Sequence, residues 1–221
     1  MIPGAQTLRN TLLISIALAV SSAAGAQHNI EYTWETHFAD HLPLYCKYTQ
    51  RLPDRTGTGQ GGIQGLHGHP LSSRQFSRVY GAAWHHMHHY CYALDDLYLA
   101  SLQAEPAKAR TLLGQSIKEI QYVIDRTDRS WVLLPEALFN IGIAHLGLGN
   151  NMEAVRFLTA CLVEDPAYVP AYLMLANYFQ RLGDKNQAAS ILRKGLANAP
   201  NADVLSDRLR TLEPSSDPGS E

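Results

Sequence analysis

The sequence has no large excess of either charge. Its 221 residues hold 18 Lys and Arg against 20 Asp and Glu. A chain so balanced has no basic stripe for a phosphate backbone, which excludes a nucleic-acid binder. Long apolar runs are missing as well. Residues 11–20 (TLLISIALAV) fall well short of the roughly 20 residues that span a bilayer. Catalytic signatures are absent in turn. The glycine-rich stretch in residues 57–68 lacks the Gly-Lys-Ser/Thr ending of a phosphate-cradling loop, so nucleotide binding is unsupported. No Cys-x-x-Cys-His is present for haem attachment. No Ser or Cys sits in a nucleophile elbow. Asp95 and Asp96 are neighbours, so on a helix they diverge and cannot work as paired acid and base. These absences point away from an enzyme.

The amino terminus has a different purpose from the rest. Arg9 is the only charge in residues 1–26, it precedes the apolar run, and Ala24-Gly25-Ala26 closes the segment. This is the pattern of a cleavable secretory leader, with cleavage expected before Gln27. No cysteine follows that point, so no lipid anchor is expected there, and no transmembrane segment remains after cleavage. The expected location is the periplasm or the exterior. Loss of Arg9 moves the formal net charge from −2 to −3.

What the sequence does contain is a period. Pro166 and Pro200 stand 34 residues apart, as do Leu148 and Leu182, Gly149 and Gly183, Ala154 and Ala188, Leu158 and Leu192, and Ala137 and Ala171. A fixed period of this length in a helical pattern marks a solenoid of helix–turn–helix units. Leu138, Ile141, Gly142 and His145 fall at i, i+3, i+4 and i+7, and Tyr172, Leu175, Ala176 and Phe179 repeat them. Gly149 and Gly183 are placed to end the first helices, and Pro166 and Pro200 the second ones. Small residues, Gly142 with Ala154 and Ala176 with Ala188, fall where the two helices of a pair must cross closely.

Three cysteines are scarce coin in an oxidising compartment, where pairing is expected. Cys161 occupies a repeat position whose counterpart is Gly195, which reads as a buried free thiol. Cys46 and Cys91 then form the expected disulfide. It also explains Cys91 more simply than an activated thiolate beside His88 does.

The division expected along the chain is a leader at 1–26, a helical segment with a glycine-rich loop at 27–71, long helices at 72–134, two clear repeats with a final helix at 135–212, and a polar tail at 213–221. Ser72 and Gln75 fit a capping box that opens one long helix. Phe76, Tyr80, Ala83, Met87, Leu94 and Tyr98 follow at helical spacing as its apolar stripe.

Nine of the ten histidines lie within residues 28–89. At 100° per residue His85 and His89 point away from that stripe, at the i, i+4 spacing that lets two imidazoles share an ion. His37 and His41 repeat the spacing, and a Cys46–Cys91 bridge draws them near. Four imidazoles, or fewer with Asp40 or Asp96, suit zinc or copper. The Glu of the zinc-protease motif is missing from both pairs. Plain packing and hydrogen bonding explain such histidines equally well.

On the residues quoted for the period, the segment 135–201 resembles tetratricopeptide repeats. Residues 90–123 resemble a degenerate first unit. Two departures stand out: neither clear unit has the family's Trp at its fourth position, and His145 replaces the usual Tyr. The motifs Leu42-Pro43-Leu44-Tyr45-Cys46 and His88-His89-Tyr90-Cys91 resemble those of exported repeat proteins of Gram-negative bacteria. The resemblance implies an all-α solenoid of helical hairpins with no cofactor and no catalytic residue. It implies a concave, partner-binding face formed by the first helix of each pair, here Glu136, Phe139, Ile143, Leu146, Leu173, Asn177, Gln180 and Arg181. About half of these are expected to pack on a neighbouring helix instead. The implied function is a non-enzymatic adaptor that binds an exported or outer-membrane protein or peptide, in envelope assembly, polysaccharide export or secretion. The alternative is a copper- or zinc-binding or delivery protein that uses the histidines.

Overall fold

The structure, a computed structural model, describes residues 41–43, 45–46 and 73–213. The leader at 1–26, His37, Asp40, the glycine-rich loop, Ser72 and the tail at 214–221 lie outside those residues. All regular structure among the described residues is helical, without a strand. The chain forms two compact units, Met1–Leu133 and Leu134–Glu221.

The first unit contains α1 (Ser73–Tyr80), a 3-10 segment (Gly81–His86), α2 (Met87–Leu102) and α3 (Pro106–Ile124). Pro106 opens α3 at its first turn, where a missing N–H costs nothing. The single long helix expected from Ser72 is not formed. Gly81 adopts φ +57°, a left-handed conformation that ends α1, and the next six residues wind as a 3-10 helix. The apolar stripe survives the break because Phe76, Tyr80 and Trp84 stack, with Phe76 and Trp84 centroids 5.3 Å apart. α2 is buried on most of its circumference, through Met87, Tyr90, Cys91, Ala93, Leu94, Asp95 and Leu97. One side takes α3. Another takes the N-terminal residues, through the Cys46–Cys91 disulfide, the 2.9 Å His41–Asp95 pair and the stacking of His41 on Tyr98.

The second unit holds α4 (Leu134–Leu148), α5 (Asn151–Glu164), α6 (Val169–Arg181), α7 (Lys185–Asn198) and α8 (Asp203–Leu212). α4 packs on α5, α6 on α7, and α5 on α6, which stacks the second pair on the first. Gly149 and Gly183 carry φ +78° and +81°, the left-handed turn that ends α4 and α6. The residue after each donates back across the helix end, Asn150 N–H to His145 O and Asp184 N–H to Phe179 O. α5 and α7 end one residue before Asp165-Pro166 and Ala199-Pro200, because proline has no N–H to continue a helix.

Candidate partner-binding face

Close crossing of α4 and α5 depends on Gly142. A Cβ placed there would lie 2.8 Å from Leu158 Cγ and 3.4 Å from the Ala154 carbonyl oxygen. In the second pair the matching approach uses Ala176 and Ala188, both buried with Leu192, Tyr172 and Leu205 in one cluster. Gly195 gives up its side chain to neighbours. A Cβ there would meet Tyr172 Cγ at 2.8 Å and Leu205 Cδ1 at 2.9 Å. Its counterpart Cys161 is the buried free thiol of the chain. Burial pushes that thiol far up, so it stays protonated and inert.

The helices so packed arrange the residues expected on the binding face. Phe139 is buried against Tyr168, with centroids 5.4 Å apart, and Leu173 packs on the apolar cluster of the second pair. These two serve the core. Glu136, Ile143, Leu146, Asn177 and Gln180 are half-buried, and Arg181 is exposed. Asn177 and Gln180 already have a partner within the chain. Arg208, from α8, donates through Nη2 to Asn177 Oδ1 at 2.8 Å and to Gln180 Oε1.

Arg208 was not among the residues read from sequence, though the 34-residue period contains it. Asp203 begins α8 34 residues after Val169 begins α6, so the spacing of the helix starts continues into α8. On the same offset Arg208 matches Met174, while Asn177 and Gln180 match Ile143 and Leu146. One pair of face positions is thus apolar in the first unit and polar in the second.

His145 lies at the far end of α4. Its ring stacks on Phe157 at 5.4 Å, and Nδ1 accepts from the Asn150 amide at 3.4 Å. Burial pushes its pKa down, against the pull of Glu153. A histidine held neutral by the fold binds more protons when unfolded, so its contribution is present above its ordinary value near 6.5 and fades as pH falls below it. Urea midpoints measured between pH 7.5 and 5 are expected to fall for the native protein and to fall less for His145→Gln. Equal slopes would remove His145 from the account.

The candidate metal ligands separate. His85 lies in the 3-10 segment and is exposed, while His89 lies on α2 and is half-buried. At three residues per turn between 81 and 86, the uniform 100° advance that aligned them does not hold. His89 faces α3, not open solvent: Nδ1 pairs with Glu119 Oε2 at 2.5 Å, and its ring lies 4.0 Å from Tyr122. His41 pairs with Asp95. Among the described residues no group of three or more His, Cys, Asp or Glu side chains is placed to hold a metal ion.

Comparison with known families agrees with this geometry. Residues 136–167 and 169–201 each match a family profile described as a tetratricopeptide repeat. No curated protein matches the chain. The two matched segments coincide with the stacked hairpins α4–α5 and α6–α7, and α8 is laid against the last of them.

Proposed function

We propose that this protein is a non-enzymatic adaptor that docks a protein or peptide on the exposed face of α4 and α6, outside the cytoplasm. The observation that carries the reading is the pair of stacked tetratricopeptide repeats, whose usual use is protein–protein interaction. The face itself supports a partner with two kinds of surface. Ile143 and Leu146 offer half-buried apolar area, and one repeat further Asn177, Gln180 and Arg181 offer hydrogen bonds and a positive charge. An extended peptide or a partner helix can lie across both.

The leader-like residues 1–26 support export, with a periplasmic site of action and an exported or outer-membrane partner. The Cys46–Cys91 disulfide supports the same compartment, since such bonds persist where the surroundings are oxidising. Envelope assembly, polysaccharide export and secretion each use adaptors of this kind, and the proposal extends to that group of processes by analogy alone.

The test is capture from an envelope extract with three forms of the protein: native, Ile143→Asp, and Arg181→Glu. Arg181 is exposed and Ile143 half-buried, so retained helicity and urea midpoint of each variant are checked before capture. Recovery of a specific partner is expected to drop about tenfold or more, the loss of roughly 1.4 kcal/mol of binding energy. Equal recovery by all three would place docking elsewhere and overturn the assignment of this face.

A further inference from the structure

Residues 41–43 and 45–46 form a short strap across one strip of α2. Cys46 is bonded to Cys91, His41 Nε2 lies 2.9 Å from Asp95 Oδ1, and the His41 ring stacks on Tyr98 at 4.0 Å. Cys91, Asp95 and Tyr98 follow one another at i, i+4 and i+7, which places them on one face of the helix. Tyr45 meets Tyr80 of α1 with centroids 5.4 Å apart. The strap also turns on itself, since Cys46 N–H donates to the Pro43 carbonyl at 2.9 Å.

Burial decides what this arrangement can do. Leu42 and Tyr45 are buried, and both bonded cysteines are 0 % exposed. Thiol–disulfide exchange requires a thiolate to reach one sulfur of the bond. No reagent reaches either sulfur while the strap is seated. Local opening must therefore come first, and its frequency is set by the contacts that hold the opening segment. Here those contacts are the His41–Asp95 pair, the stacking of His41 on Tyr98 and the packing of Leu42 and Tyr45.

We propose that this strap is a redox-gated device. Seated, it shields the Cys46–Cys91 bond. Lifted, it exposes the bond to a dithiol, and reduction then leaves the Cys91, Asp95 and Tyr98 strip of α2 uncovered. An oxidising compartment keeps the strap closed, and a reducing one opens it. The device lies within the first unit and stands independently of the docking face on the second.

In the chemical step one thiolate of the dithiol attacks a sulfur of the bond, the S–S bond breaks, and the other cysteine leaves as a thiolate. The second thiol of the reagent then attacks the mixed disulfide and frees the first cysteine. The reagent ends as its own disulfide. The protein gains two electrons, and the two protons of the reagent pass through water to the cysteine thiolates. With the bond gone, the noncovalent contacts alone compete with the freedom of the N-terminal chain.

The experiment reduces the oxidised full chain with dithiothreitol and follows free thiols by quenching, alkylation and mass spectrometry. Reduction of the native chain is expected to run about a hundredfold slower than in concentrated urea, because the bond is reached only in the open fraction. His41→Ala is expected to speed native reduction about tenfold, since Asp95 loses its partner. Tyr98→Leu, which loses the stacking, speeds it about threefold and serves as the second variant should His41→Ala lose helicity. His85→Ala, exposed on the 3-10 segment, leaves the rate unchanged. After reduction, amide exchange is expected to rise in residues 41–46 and to stay slow in α3. Equal rates in buffer and urea, or variants at positions 41 and 98 that reduce no faster than the native chain, would overturn the gating. Exchange unchanged in residues 41–46 after reduction would show that the strap stays seated without the bond and would overturn the release. Fast exchange in α3 would overturn it as well, since reduction would then unfold the unit rather than lift the strap.

Discussion

Replacement of Cys46 and Cys91 together by alanine is expected to lower the stability of the first unit by about 4 kcal/mol. The bond joins residues 45 apart in sequence, and a closed loop of that length removes this much entropy from the unfolded chain in the loop-closure account. The native side adds to the effect. Both cysteines are fully buried, and next to them lies the His41–Asp95 pair, with side chains 12 % and 9 % exposed. Without the covalent tie, that pair and the stacking of His41 on Tyr98 must by themselves order the N-terminal residues against α2. One turn of helix separates Cys91 from Asp95, so release at one strains the other. Tryptophan fluorescence isolates the response, because the buried Trp84 and Trp131 lie in the first unit and no tryptophan follows residue 131. A urea midpoint that hardly moves, corresponding to less than about 1 kcal/mol, would show that the N-terminal residues contribute little to this core.

Leu205→Ala is expected to cost about 2–5 kcal/mol, the range for a large side chain removed from a closed core. Leu205 is the one fully buried residue of α8. Its side chain fills the space that Gly195 leaves open beside Tyr172. Around it, the Tyr172 hydroxyl donates to the Pro166 carbonyl at 2.9 Å and accepts from the Asn198 amide at 3.1 Å, so the walls of the site are pinned and cannot collapse into a void. A cavity that cannot relax gives the upper part of the range. The loss reaches the binding face, because a loosened α8 carries Arg208 away from Asn177 and Gln180. Amide exchange in α8 is therefore expected to accelerate in Leu205→Ala more than in Leu209→Ala, whose side chain is only partly buried against the same cluster. Equal acceleration would mean that α8 is held by its whole length rather than by one anchor.

The two halves of the chain differed in how far sequence could be read. In the second unit the glycines at 149 and 183 and the prolines at 166 and 200 mark the ends of α4, α5, α6 and α7, because helix ends depend on local backbone chemistry. The first unit has no repeat to check a helical reading against. There Gly81 broke the expected helix, and the sidedness inferred for His85 and His89 broke with it. No residue near Gly81 signals the change, since a glycine inside a helical pattern is tolerated as often as it interrupts one.

What the sequence determined unaided is the all-α class, the two hairpins and the small residues at their crossings. Each follows from interactions within a few turns of one chain segment. The tertiary structure alone decided which polar groups meet: Arg208 with Asn177 and Gln180, His89 with Glu119, and His41 with Asp95. Those meetings depend on how one segment lies against another, and residues 28 to 54 positions apart carry no local signal of it.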